Sequence, residues 1–363
     1  MKKIIIVVGT RPNFIKITQF RRVAGKYNNI EVKIVHTGQH YDDKMANIFF
    51  EQFKMFPDFY LNTSASSSNS QIAKTMIELE LLFNEYKPDY AVVVGDVNST
   101  LAAAITANKM GIKLIHIESG LRSGDYSMPE EINRIITDKI SDYCFVTEKS
   151  GIENLKSENK KDEQVFMVGN TMIDTMVAYE KEIDESDILQ KNKLQSNNFV
   201  LMTMHRPANV DTKEGIIKIV SIIDLLIHKN YKILFPIHPR TYKRMETLGL
   251  LSSFKHPNIV ITEPLDYFAF QKLIKECKFI ITDSGGIQEE STFRLKPCLT
   301  FRPNTERPST IEEGTNVLIE FDMQLLEKHI NLIETGKFKK GTIPKYWDGK
   351  ATERILQVIS NLD

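Results

Sequence analysis

The sequence predicts an α/β protein made of two doubly wound domains, and two features of its 363 residues support this fold class. Short runs of β-branched and other apolar residues alternate with longer amphipathic stretches along almost the whole chain. Nearly continuous apolar strands separated by helices are typical of parallel sheets that are covered by helices on both faces. The alternation stops in a polar, charge-rich stretch, residues 180–198, and then restarts, which indicates two domains.

The predicted elements follow this alternation in chain order. The strands of the first series are Ile4–Val8, Glu31–Thr37, Tyr90–Gly95, Lys113–Glu118, Tyr143–Thr147 and Gln164–Val168. Those of the second are Phe199–Met204, Ile233–Ile237, Ile259–Thr262, Phe279–Thr282, Pro297–Phe301 and Val317–Glu320. Predicted helices include Ser70–Glu85, Lys213–His228 and Asp266–Glu276, and the serine-rich residues 63–69 are expected to form a loop. The domains should join near Gly169–Asp174, so residues 1–169 would form the first domain and 170–349 the second.

Composition excludes several classes of protein. The 47 basic residues balance 47 acidic ones, which argues against a nucleic-acid or membrane-surface partner. No apolar run reaches the roughly 18 residues of a membrane span, and the first ten residues read as a buried strand rather than a secretory signal. Cys144, Cys277 and Cys298 are far apart and lack zinc-site spacing. We therefore expect reduced core thiols, a cytoplasmic location and no metal site.

Ligands of doubly wound sheets bind beyond the carboxyl ends of the strands, so unusual residues at those ends are candidate ligand-binding residues. The first strand ends in GTRPNFIK, where Arg11 and Lys16 could face an anion at the start of a helix. The alternative is a glycine turn with two solvated cations. This segment is not the GxGxxG dinucleotide fingerprint.

Acidic residues follow two further strands of the first half. Asp96 lies in GDVNST, and Glu118 ends the strand that precedes the loop and helix containing Glu130 and Glu131. A helix N-cap would explain Asp96, and the helix dipole would explain one of the glutamates at positions 130 and 131. Neither role explains Glu118. Two strand ends that each place an acid at the same edge of the sheet indicate a ligand site more specifically than either acid alone.

Histidines in the second half lie at the same kind of position. His205 follows a strand in MHRPANV beside Arg206, and His238 and Arg240 repeat the arrangement in IHPR. A histidine at a predicted ligand edge is a candidate acid, base or phosphate contact, although a single histidine is usually structural. His116 and His36 lie within apolar strands and are expected to be satisfied core residues.

The segment FIITDSGGIQEES combines a strand, two glycines and a helix. Ser284, Gly285 and Gly286 would let a phosphate approach the exposed N–H groups at the start of the helix. Glu290, one turn further on, could accept hydrogen bonds from ribose hydroxyls. Arg302 and Arg307 in FRPNTERP are available for a diphosphate. A plain strand–glycine–helix turn explains the glycines but not this combination.

Taken together, GTRPNFIK, GDVNST, HIESGLRS…PEEINR, MHRPANV, TDSGGIQEES and NTERP resemble the non-hydrolysing UDP-N-acetylglucosamine 2-epimerases, in order from residue 9 to about 315. The resemblance implies two Rossmann-like domains in a glycosyltransferase-B arrangement, with the active site in the interdomain cleft. It also implies a homodimer, no cofactor and a last helix, residues 350–363, that packs back on the N-terminal domain.

The same resemblance implies an activity and residue roles. The family interconverts UDP-GlcNAc and UDP-ManNAc by anti elimination of UDP to 2-acetamidoglucal and re-addition. Its essential acids and histidine match Asp96, Glu118, Glu130 and His205, and which carboxylate is the C2 base stays open. Its substrate-binding residues match Arg11, Lys16, Leu265, Phe270, Ser284, Gly285, Gly286, Glu290 and Arg307. Of these, Leu265 and Phe270 would hold uracil, Glu290 the ribose, and the glycine turn the diphosphate.

Several alternatives remain open at this point. The substrate could be another UDP-aminosugar, such as a 3-acetamido uronic acid or a 6-deoxy sugar, because Asn13 and Pro207-Ala208 depart from the residues that many family members carry. A hydrolysing relative, a glycosyltransferase of the same architecture and a non-catalytic UDP-sugar sensor are the other candidate functions.

Overall fold

The computed structural model describes residues 1–39 and 49–362, which fall into two compact units. Unit 1 is Met1–Ala178 together with the C-terminal segment from Lys345, and unit 2 is Tyr179–Pro344. Unit 1 therefore extends beyond the expected boundary at Gly169, because the helix Thr171–Ala178 packs within it. Thr175 Oγ1 donates a hydrogen bond of 2.5 Å to the carbonyl of Ile15 near the start of the chain.

The described part of unit 1 contains a parallel sheet of seven strands in the order β3-β2-β1-β4-β5-β6-β7. The strands are β1 (Lys2–Val8), β2 (Ile30–His36), β3 (Phe59–Tyr60), β4 (Tyr90–Val94), β5 (Lys113–Ser119), β6 (Tyr143–Val146) and β7 (Val165–Met167). The helices are Arg11–Ile15, Phe20–Ala24, Ser68–Tyr86, Asn98–Lys109, Pro129–Ile140, Lys149–Ser157, Thr171–Ala178 and Ala351–Asn361, with a 3-10 turn at Asp162–Gln164. The two-residue strand β3 was not predicted.

Burial explains why the strands of unit 1 read as continuous apolar runs. Ile4, Ile5 and Ile6 of β1 are all fully buried, so both faces of the sheet are covered. The helix Asn98–Lys109 contributes Ala102, Ala103 and Ala104, which are also fully buried. Small side chains let this helix lie close to the sheet, directly after the acid at the end of β4.

The C-terminal segment is an integral part of unit 1. Trp347, the single tryptophan of the chain, is 1% exposed and donates a 3.0 Å hydrogen bond from Nε1 to the carbonyl of Thr147. Asp174 accepts hydrogen bonds from the backbone N–H groups of Ala351 and Thr352 at 3.0 and 2.6 Å. Its carboxylate therefore caps the start of the helix Ala351–Asn361.

The described part of unit 2 contains a six-stranded parallel sheet in the order β10-β9-β8-β11-β12-β13. The strands are β8 (Phe199–Thr203), β9 (Lys232–Pro236), β10 (Ile259–Thr262), β11 (Phe279–Thr282), β12 (Cys298–Thr300) and β13 (Asn316–Leu318). The helices are Glu180–Asp184, Ile188–Lys191, Pro207–Val210, Lys213–His228, Pro239–Thr247, Tyr267–Glu276, Gly285–Phe293, Ser309–Glu312 and Met323–Glu334, with a 3-10 turn at Leu251–Phe254. Its core contains fully buried residues such as Ile219, Phe235 and Phe279.

In each sheet the direction of chain progression reverses beside the first strand. The reversal lies between β1 and β4 in unit 1 and between β8 and β11 in unit 2. Ligands of doubly wound sheets bind at such topological switch points, outside the carboxyl ends of the strands. A ligand site is therefore expected at each of the two switch points.

The thiols agree with the sequence prediction. Cys144, Cys277 and Cys298 are free and buried, and burial raises the pKa of the Cys298 thiol to about 11. Such thiols are core residues rather than nucleophiles at neutral pH. Among the described residues, none of the helices has the length and apolar character needed to span a bilayer.

Candidate active site

At the switch point of unit 1, the residues after β1 and β4 are tied together. Arg11 begins a short helix, with its guanidinium 4.0 Å from the ring centre of Phe49. Asn13 Oδ1 accepts hydrogen bonds from the N–H and hydroxyl of Thr10 at 3.3 and 2.9 Å. Asn13 Nδ2 donates across to the carbonyl of Val94 at 2.9 Å. The departure at position 13 thus provides a structural link between the two strand ends.

Glu118 occupies an irregular position at the end of β5. The register between β5 and β6 shifts between Ile117 and Ser119, and Glu118 has φ 72°, a left-handed conformation that residues other than glycine seldom adopt. A β-bulge re-aims a side chain relative to a regular strand. Here it directs the carboxylate into an ion pair with Lys16, and both residues are less than 10% exposed.

Gly95 leaves space for this pair. A Cβ atom at Gly95 would lie 3.3 Å from Glu118 Oε2 and 3.6 Å from Lys16 Nζ, and the φ of +68° also favours glycine. The sequence-predicted residues Lys16 and Glu118 therefore lie together beside the backbone that leads into Asp96.

Asp96 is paired with a cation that the sequence pattern does not reveal. Arg134, 3% exposed, forms an ion pair with the Asp96 carboxylate and donates from Nη1 to Glu131 Oε2 at 2.8 Å. The Asp96 side chain is 28% exposed, so it remains open to a ligand. Arg134 lies in the quoted segment PEEINR, and only its tertiary contacts show its role.

The structure separates the two glutamates at the start of the helix Pro129–Ile140. Glu131 is 1% exposed and accepts hydrogen bonds of 3.0 Å from the N–H groups of Ser123 and Gly124, so it organises the preceding loop. Glu130 is exposed at the same helix end. Of the two acids, Glu130 is the one whose carboxylate can meet a ligand.

His116 and His36 are the core histidines that the sequence predicted. His116 is fully buried, with Nδ1 2.6 Å from Asp138 Oδ1 and Nε2 2.8 Å from the carbonyl of Gly95. Burial lowers the pKa of His36 to about 4, so this imidazole is neutral at physiological pH. Both side chains are engaged in holding the fold.

At the switch point of unit 2, His205 follows β8 and contacts an acid from the neighbouring strand. His205 Nδ1 lies 2.9 Å from Oδ1 of Asp283, while 42% of the His205 side chain is exposed. The His238 ring lies 5.8 Å away, centroid to centroid. Arg240 instead forms an exposed ion pair with Asp211 through Nε, at 2.7 Å. One ring edge of His205 is thus anchored while the rest is accessible.

The glycine turn of unit 2 begins a helix, as predicted. Ser284 is the N-cap of Gly285–Phe293, and its N–H donates to Thr282 Oγ1 at 3.0 Å. A Cβ atom at Gly285 would lie 2.9 Å from Glu306 Oε1 and 3.0 Å from Arg307 Nη1. The absence of a side chain therefore lets charged groups lie directly against the helix start.

Two buried arginines surround this helix start. Arg307 Nε lies 2.8 Å from Glu289 Oε2, and Arg302 Nη2 donates to Glu306 Oε2 at 2.8 Å. Arg302 is 2% exposed, and its Nε and Nη1 atoms have no hydrogen-bond partner among the described residues. Burial lowers the pKa of Arg302. Arginine donors beside a helix N-terminus form a local environment suited to an anion.

The remaining predicted binding residues lie in the same unit. Glu290 is 6% exposed in the helix that begins at Gly285, and Gly286 is the second residue of that helix. Leu265 and Phe270 are half-buried at the edge of an apolar cluster that includes Leu273. The arrangement offers an apolar surface, an acid and an anion-binding helix start within one unit.

The sequence model of the family described as UDP-N-acetylglucosamine 2-epimerase matches residues 23–360. This chain belongs to that family. Among its relatives, the UDP-N-acetylglucosamine 2-epimerase of Methanocaldococcus jannaschii is 38% identical and is covered over 99% of both chains. The UDP-2,3-diacetamido-2,3-dideoxy-D-glucuronate 2-epimerase of Pseudomonas aeruginosa is 33% identical, covering 99% of this chain and all of that protein.

A comparison with solved structures also supports membership of this epimerase family. The M. jannaschii UDP-GlcNAc 2-epimerase in complex with UDP-GlcNAc and UDP has a TM-score of 0.90 at 38% identity, with 99% of each chain covered. The predicted family and fold class, two Rossmann-like doubly wound domains of the glycosyltransferase-B kind, are confirmed. The prediction of an enzyme, an isomerase, is confirmed as well.

Proposed function

We propose that this epimerase interconverts UDP-N-acetylglucosamine and UDP-N-acetylmannosamine, and that Asp96, Glu118, Glu130 and His205 carry the reaction. The observation that contributes most is the grouping of Glu118, Lys16 and Asp96 at the switch point of unit 1. Full-length relatives that bear this activity in their names support the substrate.

The chemistry explains why carboxylates are needed. The C2 proton of the sugar is not adjacent to a carbonyl, so a carboxylate cannot remove it directly at neutral pH. Breaking the bond between C1 and the β-phosphate oxygen, whose electron pair leaves with UDP, gives the sugar oxocarbenium character and acidifies C2–H. A base then takes that proton, and the C1=C2 bond of 2-acetamidoglucal forms. Protonation of C2 on the opposite face and attack of UDP on C1 give the epimer.

The contacts of the acids suggest different roles in unit 1. Asp96 already pairs with the Arg134 guanidinium, which suits a carboxylate that stabilises positive charge at C1 rather than one that carries a proton. Glu118, beside the Lys16 ammonium, and the exposed Glu130 are then the two groups for proton transfer at C2. Two positioned groups are what a proton exchange between opposite faces requires. Arg11 would contact phosphate from the same rim.

Unit 2 would hold the nucleotide and its leaving diphosphate. The N–H groups at Ser284, Gly285 and Gly286, with Arg307 beside them, are suited to the negative charge that grows as the C1–O bond breaks. His205 would hydrogen-bond to or protonate the departing oxygen. Glu290 would accept from the ribose hydroxyls, and Leu265 with Phe270 would hold the uracil.

Solvent deuterium is expected to enter the substrate at C2. UDP-GlcNAc incubated with enzyme in D2O should become deuterated at C2 as UDP-ManNAc accumulates, because each turnover removes and replaces that proton. Proton NMR measures the exchange, and ³¹P NMR follows free UDP. Turnover or binding without C2 exchange would point instead to a transferase or a sensor, and UDP accumulating in step with product would mean hydrolysis.

A second candidate substrate is supported by the P. aeruginosa relative, which is named for a diacetamido uronic acid sugar. The same elimination chemistry serves that sugar, because the change lies at C3 and C6 rather than at C1 and C2. The C2 exchange assay run on a panel of UDP-aminosugars ranks the candidates by kcat/KM. We expect UDP-GlcNAc to rank first, and a higher value for a uronic acid would replace it.

A homodimer is the proposed assembly. Ile77 and Leu81 are 58% and 63% exposed on one face of the helix Ser68–Tyr86, and Ile132 and Ile136 are each 38% exposed on Pro129–Ile140. Both helices pack against Asn98–Lys109, so these apolar side chains lie in the same helical layer. Exposed apolar side chains grouped in this way are typical of interaction surfaces.

The buried free thiols also favour a reducing compartment, which supports a cytoplasmic location.

Leu81→Glu is expected to convert the dimer to a monomer, because a carboxylate would be buried without a partner in the apolar interface. Analytical ultracentrifugation measures the change in mass. Ile217→Glu is the matched control, since Ile217 is 47% exposed on a helix of unit 2 and should leave the dimer intact. A wild-type protein that sediments as a monomer at micromolar concentration would contradict the proposal.

A further inference from the structure

We propose that Asp283 is a positioning residue for His205: its carboxylate holds the imidazole in the Nδ1–H tautomer, so that Nε2 is the nitrogen that meets the substrate. This inference rests on the proposed function for the role of His205, but it concerns a contact within unit 2 that can be measured without substrate. Asp283 lies in the segment TDSGG, whose pattern points to the serine and the glycines rather than to the acid.

The carboxylate of Asp283 is fully engaged. Asp283 is 0% exposed, and its Oδ1 lies 2.9 Å from His205 Nδ1. Its Oδ2 accepts from the N–H groups of His205 and Arg206 at 3.0 and 2.9 Å and from Asn209 Nδ2 at 3.0 Å, and the His205 N–H is shared with Oδ1 at 3.2 Å. Burial alone would raise the pKa of Asp283, but hydrogen bonds from His205, Arg206 and Asn209 hold it below its ordinary value.

The hydrogen-bond contacts of the two Asp283 oxygens determine the tautomer of His205. An ionised carboxylate can only accept hydrogen bonds. Three N–H donors point at Oδ2, and Oδ1 faces the ring as an acceptor. The ring nitrogen at that contact must therefore carry hydrogen, which leaves Nε2 free to accept or release a proton. A carboxylate that orients a histidine in this manner also stabilises the imidazolium form.

Other charged groups near the ring do not compete for Nδ1. His238 faces His205 with its ring 5.8 Å away, and its Nδ1 accepts from the N–H of Arg240 at 3.2 Å. Burial and the neighbouring His205 and Arg240 lower the pKa of His238. Among the described residues, Arg206 contacts Asp283 through its backbone N–H. Asp283 is thus the acid that sets the protonation of Nδ1.

Asp283→Asn is the decisive variant, because the amide has one acceptor and one donor. Three N–H donors demand the amide oxygen at the Oδ2 position, which places NH2 opposite His205 Nδ1. The neutral ring must then accept at Nδ1 and carry its proton on Nε2. Nitrogen-15 NMR of protein labelled at its 8 histidines reads the tautomer from the ring nitrogen shifts, and a His205→Asn spectrum assigns the His205 signals.

The expected result is an Nδ1–H tautomer in the wild type and an Nε2–H tautomer in Asp283→Asn, with kcat lowered roughly 100-fold and KM changed much less. Asn209→Ala is the control: it removes one donor from Oδ2, leaves the Oδ1 contact and should keep the Nδ1–H tautomer. An Nε2–H tautomer in the wild type overturns the proposal even if Asp283→Asn does not fold, and so does an unchanged tautomer in that variant. Normal tautomers in a wild type that shows no C2 exchange would refute the proposed function instead.

Discussion

Glu118→Gln is expected to lower the rate of C2 exchange by roughly two or more orders of magnitude, the loss typical of removing a positioned acid or base. The glutamine keeps the size of the side chain and an oxygen that can accept from Lys16, but it can neither take a proton from C2 nor return one. Because the backbone at Glu118 is already left-handed, the substitution requires no new conformation. The variant should still bind UDP, since most of the proposed nucleotide contacts lie in unit 2 and the phosphate contact of unit 1 is assigned to Arg11.

The same assay applied to Asp96→Asn, Glu130→Gln and His205→Asn should show losses of comparable size. Glu153→Gln is the matched control, because the Glu153 side chain is 61% exposed and pairs with Lys149 on the surface of a helix. Thermal unfolding followed by circular dichroism separates lost chemistry from lost folding. Near-normal exchange in all four variants would mean that the active site lies elsewhere.

The location of the candidate site could be predicted because strand ends are a property of the local sequence. Continuous apolar runs mark buried parallel strands, and the residues after them lie at one edge of the sheet. Asp96, Glu118, His205 and Ser284 were found in this way, and β10 and β11 have the predicted bounds. Short elements and element ends were harder to predict. The strand Phe59–Tyr60 is too short to show an alternation, and residues 68 and 69 of the expected serine loop begin a helix that Ser67 caps.

The partners of the site residues could not be predicted, because each pair joins positions far apart in the chain. Arg134 reaches Asp96, Lys16 reaches Glu118, and Asp283 reaches His205 only after the sheets have formed. The left-handed conformation of Glu118 likewise arises from the register shift beside β6 rather than from local preference. The boundary after Ala178 depends on contacts between Thr171–Ala178 and residues at both ends of unit 1. Sequence pattern thus places candidates, and tertiary structure determines which of them are paired.

Gly285→Ala is expected to weaken UDP binding roughly 10- to 100-fold, the range expected when one or two charge-assisted hydrogen bonds are lost. The new Cβ atom would lie 2.9 Å from Glu306 Oε1 and 3.0 Å from Arg307 Nη1, so this buried ion pair must move. The methyl group would also project where the diphosphate must approach the first N–H groups of the helix. Alanine is a good helix former, so the helix itself should persist.

Isothermal titration calorimetry with UDP measures this loss, and saturation-transfer NMR with uridine tests its cause. Uridine lacks the diphosphate, so its binding should change little if Gly285 serves the anion rather than the base. Gly25→Ala is the matched control, because its Cβ would make only ordinary contacts of 3.5 and 3.7 Å and φ is −60° there. Unaltered UDP affinity in Gly285→Ala would place the diphosphate away from this helix start. Equal losses for uridine and UDP would assign the glycine to nucleoside binding instead.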